Sequence, residues 1–259
     1  MDWDATAAPP SPPPEISIVI PAYNEEESLI PLTSAIREAL VPCGVPYELV
    51  FVDDGSGDNT ARVLQELAAK HAEVCVIRLR RNAGQSAALD AGFKRARGQV
   101  VVTLDADLQN DPGDIPRLLG ELRDYDVVCG IRQGRQDTWL RRASSKIANG
   151  IRRRVLHDSI TDVGCSLRAY RRHCLASIKL YNGMHRFLPV LLQIEGFRIG
   201  QVPVRHHPRQ YGHSKYNVRN RAWRALMDLW AVRWMQSRRL RYEVMGPETG
   251  PAAAGRNDA

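Results

Sequence analysis

The sequence predicts an α/β fold with a mainly parallel sheet and helices on both faces. Two observations carry this. Short apolar, β-branched runs recur at Ile16–Ile20, Tyr47–Val52, Val74–Leu79 and Val100–Leu104, and amphipathic stretches separate them. Such alternation predicts right-handed βαβ units. Three of these runs also end in acidic or polar groups: Tyr23-Asn24-Glu25, Asp53-Asp54 and Asp105-Ala106-Asp107. Open α/β sheets bind ligands outside the carboxyl ends of their strands.

Taken in order, residues 1–14 read as disordered, because Pro-rich polar sequence buries too little apolar surface. The first strand stops at Pro21 and leads through Ala22–Ser28 into a helix ending near Leu40; Glu25 to Glu27 would sit in its first turn and complement the dipole. After the second strand, Asp58-Asn59-Thr60 offers an N-cap for a helix to about His71, with Val63, Leu64, Leu67 and Ala68 on one face. The third strand turns through Arg80–Gln85 into a helix ending at Ala96, with Gly98 as its C′ residue. Val101, Val102, Thr103 and Leu104 suit a strand covered on both faces.

Further on, a helix is expected over Asp114–Leu122, a strand over Val127–Arg132 and a basic helix over Trp139–Leu156. Thr161–Tyr170 reads as a loop and a strand, Arg171–Ser177 and Met184–Glu195 as short helices, and Ile199–Arg205 as a final strand. A polar loop, His206–Asn217, closes a domain spanning 15–218. A basic helix follows over 219–242, carrying Trp223, Leu226, Met227, Trp230, Ala231 and Trp234 at helical spacing, and then a flexible tail, 243–259.

Composition narrows the function. Hydrophobic residues make up 44% and charged residues 25%, ordinary for a globular protein with a proper core. The five cysteines form no C-x-x-C pair, so reduced thiols are expected and neither a disulfide frame nor a zinc site. The N-terminus has no apolar signal region, and no stretch approaches the length of a spanning helix, so a cytoplasmic location is expected. The net charge of +7 is uneven: 24 Lys and Arg against 5 Asp and Glu lie between Arg132 and Arg241. A basic half of this kind suits phosphates, an anionic membrane surface or nucleic acid, and the bland alternative is a solvated basic surface. No nucleic-acid recognition motif supports the last partner, so none is expected. Gly84 and Gly92 do not form a dinucleotide fingerprint. His185, His206, His207 and His213 lack metal-ligand spacing and read as polar loop residues.

The Asp105-x-Asp107 pair delivers hard oxygen ligands to the expected crevice. Such ligands suit Mg²⁺ or Mn²⁺, and Mg²⁺ usually shares its shell with substrate phosphates. Alone, the pair is also compatible with a strand running into an acidic turn.

The segments SIVIPAYNEEESL, LVFVDDGSGDNT, RNAGQSAALDAGFKRARG, VVTLDADLQNDP, DVGCSLRAYRR and RQYGHSKY occur in this order. Together they resemble the inverting glycosyltransferase family 2, over roughly Ile16 to Lys215, and within it the polyprenyl-phosphate branch of dolichol-phosphate mannose synthases and bactoprenol-phosphate glucosyltransferases. The resemblance implies the GT-A nucleotide-diphospho-sugar fold, with a Rossmann-like sheet. It implies that Pro21, Tyr23, Glu25 and Asp54, with Asp53 less firmly in register, surround the nucleoside. It implies that Asp105, Ala106, Asp107 and Gln109 bind the donor diphosphate, with Asp105, Asp107 and Gln109 on Mg²⁺ or Mn²⁺. Arg132, Arg209, Ser214 and Lys215 would meet the diphosphate or the acceptor phosphate. Asp162 would serve as a base or as an acceptor-side structural residue.

The implied reaction moves a hexose from a nucleotide sugar to a polyprenyl phosphate at the cytosolic membrane face. GDP-mannose stands ahead of UDP-glucose as donor. Bacterial members of this branch often carry C-terminal transmembrane helices, which this sequence lacks; its length is closer to soluble catalytic subunits that rely on a small membrane-protein partner. The Trp-rich basic helix is then either a membrane contact or a helix packed on the core or a partner. Transfer to a hydroxyl of a glycan or small molecule, and a non-catalytic nucleotide-sugar-binding subunit, remain the alternatives.

Overall fold

In the computed structural model, which describes residues 14–133, 149–208 and 218–240, seven strands form one sheet. They are β1 (Ile16–Ala22), β2 (Tyr47–Asp53), β3 (Val74–Arg78), β4 (Val100–Thr103), β5 (Val127–Gln133), β6 (Arg168–Arg171) and β7 (Ile199–Arg205), in the order β3-β2-β1-β4-β6-β5-β7. All neighbours run parallel except β6, which is antiparallel to both β4 and β5. The helices are α1 (Leu29–Leu40), α2 (Thr60–Lys70), α3 (Gln85–Arg95), α4 (Ile115–Glu121), α5 (149–156), α6 (Arg172–Ala176), α7 (Leu188–Ile194) and α8 (Val218–Ser237). Strand order reverses between β1 and β4, and the Asp105 loop leaves β4 at that switch point.

Alternation along the strands sorts the core into two layers. Ile16, Ile18, Ile20, Leu49, Phe51 and Val102 pack with Leu32, Ile36, Leu64 and Leu118 of α1, α2 and α4. Val19, Val50, Val52 and Val101 face the other way, onto Ala88 and Leu89 of α3.

Several local expectations are corrected. Pro21 does not stop β1, which runs to Ala22. Ala22 bonds toward β2, through its carbonyl to Asp54 N–H, and Val19 bonds toward β4, to Leu104 N–H. Alternation therefore points Pro21 toward β4, whose pairing with β1 ends at Val19, so the missing N–H leaves no ladder bond unmade. Glu25 to Glu27 precede α1 and are not in its first turn. Gly98 is not a left-handed cap; a Cβ there would lie 2.7 Å from Ser17 N, so the glycine allows chain to pass chain. Met184–Glu195 divides into a 3₁₀ turn, Met184–Phe187, and α7, with Pro189 at the start of the helix proper.

α8 lies on the domain by a face other than its aromatic stripe. Leu229 and Val232 are buried with Leu156, Ile160, Phe187 and Leu191. Gln236 Nε2 donates to Leu156 O at 2.9 Å, and an Arg239 guanidinium N–H donates to Glu195 O at 2.9 Å. Leu226, Met227, Trp230 and Trp234 face outward, the two tryptophans 71% and 63% exposed. No helix among the described residues is long and apolar enough to cross a membrane. The expectations for residues 1–13, for 139–148, for Arg209, Ser214 and Lys215, for the Trp223 side chain and for 243–259 lie outside the described residues.

Candidate active site

The carboxyl ends of β1 and β2 are locked together. Asn24 adopts a left-handed backbone, φ 52°. Its N–H donates to Ser56 Oγ at 2.9 Å, and its Oδ1 accepts Gly57 N–H at 2.8 Å. Glu25 N–H donates to Thr60 Oγ1 at 2.8 Å, and Glu26 Oε2 accepts Asn59 N–H at 2.8 Å. Tyr23 stands 36% exposed at the rim of these loops, and Pro21 lies partly buried beside Val52.

Asp53 and Asp54 are adjacent but differently engaged. Asp53 is fully buried; its Oδ1 accepts Ser56 N–H at 2.9 Å and its Oδ2 lies 3.2 Å from Arg78 Nε. Asp54 turns its carboxylate onto the loop before α3, accepting Ala83 N–H at 2.7 Å and Gly84 N–H at 2.9 Å. Both carboxylates thus shape the loops around the crevice. Each Asp54 oxygen keeps a second lone pair. Gly55, at φ 69°, is required here, since a Cβ would lie 2.5 Å from the Arg81 carbonyl carbon.

The Asp105–Gln109 loop carries two carboxylates one residue apart. Asp105 Oδ1 accepts Gln85 Nε2–H at 2.7 Å, and Asp107 Oδ1 accepts Gln109 N–H at 3.2 Å. Between Asp107 and Gln109, Leu108 is held at φ 56°, a conformation costing a side-chain-bearing residue about 1–2 kcal/mol. Burial, and then the Asp107 charge, push the Asp105 carboxyl up to about 6, against the pull of Ser166, Arg168 and Arg132. Two crowded carboxylates of this kind fit a divalent cation. No group of three or more His, Cys, Asp or Glu among the described residues could hold one, so the rest of its shell would come from diphosphate, water or Gln109. Ala106 is buried in the core and offers the site only its backbone. Gln109 is partly buried, and its carbonyl accepts His207 N–H at 2.8 Å.

Opposite this loop, Arg132 at the end of β5 is clasped by Asp162. Nε donates to Oδ2 and Nη2 to Oδ1, each at 2.8 Å. Burial raises the Asp162 carboxyl, but the Arg132 hydrogen bonds and charge, helped by the Gly164 N–H, outweigh it and hold the carboxyl below its usual range. A Cβ on Gly164 would lie 2.6 Å from Arg132 Nη2, so a larger residue there would push the guanidinium aside.

Sequence reasoning missed the residues that join these parts. Thr103 Oγ1 donates to Ser166 O at 2.6 Å, and Asn110 Nδ2 donates to Ser166 Oγ at 2.8 Å. Arg168, buried in β6, donates to Val163 O at 2.5 Å and His185 O at 3.0 Å. Ser86 Oγ lies 2.8 Å from His185 Nδ1. Asn110 bridges to His206, and Asp111 lies 3.1 Å from Arg205 Nε and 3.2 Å from His207 Nε2. The chain leaving β7 is therefore fastened to the carboxylate loop up to His207. The one signal in the sequence is that Gln85 and Ser86 open a helix directly after a strand-end turn.

Comparison with known proteins agrees with this architecture. Glycosyl transferase family 2 matches residues 17–178, more than half of the chain. Glucosyl-3-phosphoglycerate synthase from Mycobacterium tuberculosis, in complex with UDP, has a TM-score of 0.63 at 21% identity, covering 86% of this chain and 80% of that one. The same enzyme with Mn²⁺, UDP-glucose and phosphoglyceric acid has a TM-score of 0.62 at 21% identity, covering 86% and 79%. A mannosyltransferase from Pyrobaculum calidifontis, in complex with GDP-Man and Mn²⁺, has a TM-score of 0.60 at 18% identity, covering 92% and 67%. These likenesses establish the GT-A fold. With the family match running from β1 past the carboxylate loop to α6, this chain belongs to glycosyltransferase family 2.

Proposed function

We propose that this glycosyltransferase moves a hexose, with inversion, from a nucleotide sugar to the phosphate of a dolichyl or undecaprenyl lipid at the cytosolic membrane face. Mannose from GDP-mannose is the first choice, and glucose from UDP-glucose the second. The observation that carries the acceptor class is the state of Asp162. A hydroxyl acceptor needs a general base near neutral pH. Asp162 is held ionised by Arg132 at 2.8 Å and is correspondingly a weak base. A phosphate monoester, with a second pKa of about 6, is already largely dianionic and needs cations more than a base.

Mg²⁺ or Mn²⁺ on Asp105 and Asp107, beside Gln109, would neutralise charge on the departing nucleoside diphosphate. The chain does the rest. The β1–α1 and β2–α2 loops, with Tyr23 at their rim and Pro21, Glu25, Asp53 and Asp54 beneath, form the nucleoside side. Arg132 presents its remaining N–H groups to phosphate oxygen, oriented by Asp162. An acceptor phosphate oxygen then bonds to the anomeric carbon as the bond to the diphosphate oxygen breaks on the opposite face. Arg209, Ser214 and Lys215 follow closely on His207, which is tied to Gln109, and we assign them to phosphate binding.

The outward Leu226, Met227, Trp230 and Trp234 stripe, with the exposed Arg238, suits a helix lying in the plane of an anionic membrane surface or against a small membrane protein. Transfer to a hydroxyl is the second reading, favoured by the phosphoglyceric acid held by one structural relative. Purified protein with Mn²⁺ and labelled GDP-mannose or UDP-glucose, offered polyprenyl phosphate or the matching polyprenol, separates the two. Labelled lipid is expected from the phosphate alone; labelling of the alcohol, or of a soluble hydroxyl compound in place of lipid, overturns the reading.

A further inference from the structure

We infer that Gln85 is a positioning residue that holds Asp105 in place to receive the divalent cation. The inference rests on reading Asp105 and Asp107 as the metal-binding pair.

Gln85 is the first residue of α3, and that turn is fixed from both sides. Before it, the Ala83 and Gly84 N–H groups are received by Asp54 at the end of β2. After it, the buried Ser86 Oγ contacts His185 Nδ1 at 2.8 Å and accepts Gly183 N–H at 3.0 Å. The Gln85 backbone therefore has little freedom. The N-cap of α3 is Gly84, so the side chain of Gln85 is the first that the helix offers. It crosses to the end of β4 and donates Nε2–H to Asp105 Oδ1 at 2.7 Å. An ionised carboxylate only accepts, so the amide nitrogen must be the atom facing it.

Repulsion from Asp107 on the same short loop favours turning Asp105 away. A neutral amide opposes this without bringing a positive charge that competes with the cation. It engages Oδ1 alone, and with Ser166 as the carboxylate's other side-chain partner, lone pairs remain for coordination. Partners that orient a metal-bound carboxylate in this way change metal affinity by about 10–100-fold when removed.

The test is Mn²⁺ binding to the purified full chain, read by electron paramagnetic resonance with and without UDP or GDP. Gln85→Leu removes the donor at similar volume. Its Mn²⁺ affinity should fall about tenfold, and raising Mn²⁺ should recover most of kcat. Ser86→Ala breaks contacts of the same turn without touching Asp105, and should bind Mn²⁺ within about twofold of the parent, outside the range expected for a lost orienting partner. Parental affinity in Gln85→Leu overturns the proposal. So does equal weakening in Gln85→Leu and Ser86→Ala, which would trace the effect to the turn. If the parent chain binds no Mn²⁺, or Asp107→Asn binds it unchanged, the metal reading itself falls and this inference with it.

Discussion

Asp162 grips Arg132 at three points: Nε and Nη2 each at 2.8 Å and the backbone N–H at 3.3 Å. A carboxylate so engaged fixes the direction of a guanidinium. Replacement of Asp162 by Asn keeps the shape and removes the charge. Transfer should fall about 10–100-fold, as for other partners that orient a functional group, with the shape of the pH–rate profile retained. Abolished transfer in this variant, with an acidic limb in the parent's pH–rate profile that reports a base, would instead identify Asp162 as that base. Arg132→Ala should cost about 10²–10³ in kcat, and Arg132→Lys should restore little, because an ammonium cannot reproduce the paired geometry.

The same pair sets an acid-side stability limit. The folded state holds the Asp162 carboxyl below its ordinary value of 3.8, so its contribution is complete above that value and disappears as pH falls through the lower folded value. Thermal melts should show Asp162→Asn clearly destabilised at pH 7 and its deficit shrinking steadily below about pH 4.

Asp105 has the opposite sign. Its carboxyl is raised to about 6, so the metal-free folded state binds the proton more tightly than the unfolded chain, and stability falls as pH rises from 3.8 to about 6. Metal-free Asp105→Asn should therefore be more stable than the parent at pH 7.5 by about 1–3 kcal/mol. The gain should vanish below about pH 4. Calorimetry in EDTA at both pH values checks this.

Asp107→Asn relieves the same repulsion but removes a proposed metal ligand. Metal-dependent turnover should drop by at least about 10², the scale of losing one charge-stabilising group. Turnover with Mn²⁺ within about twofold of the parent would contradict the metal role.

The exposed stripe of α8 gives a separate prediction. Trp230→Glu with Trp234→Glu should abolish flotation with anionic vesicles, while leaving transfer to a short, detergent-soluble prenyl phosphate intact. Both positions are more than 60% exposed, so the fold should tolerate the change. Unchanged flotation would assign the stripe to another partner.

Strands and the carboxylate loop are readable in the sequence because apolar runs and strand-end acids are local signals. The antiparallel direction of β6 is not, since it depends on pairing with β4 and β5 from distant sequence. The site shows the same division. Asp105, Asp107 and Arg132 stand out by residue type and place. Gln85 lies 20 residues from Asp105, and Asp162 lies 30 from Arg132, so which partner each one meets is decided only in space. Asp53 and Asp54 are equivalent in the sequence, yet Asp53 faces Ser56 and Arg78 while Asp54 faces Ala83 and Gly84. Helical periodicity finds the Trp230 and Trp234 stripe, but Leu229 and Val232 determine which face meets the core.

The most direct test incubates the purified protein with Mn²⁺ and polyprenyl phosphate, in parallel with labelled GDP-mannose, UDP-glucose and UDP-N-acetylglucosamine. Label extracted into the organic phase is counted with and without EDTA. Organic-phase label from one donor, GDP-mannose first, and its loss on chelation are expected. Donor binding with no extractable label from any of the three would contradict the lipid-phosphate acceptor.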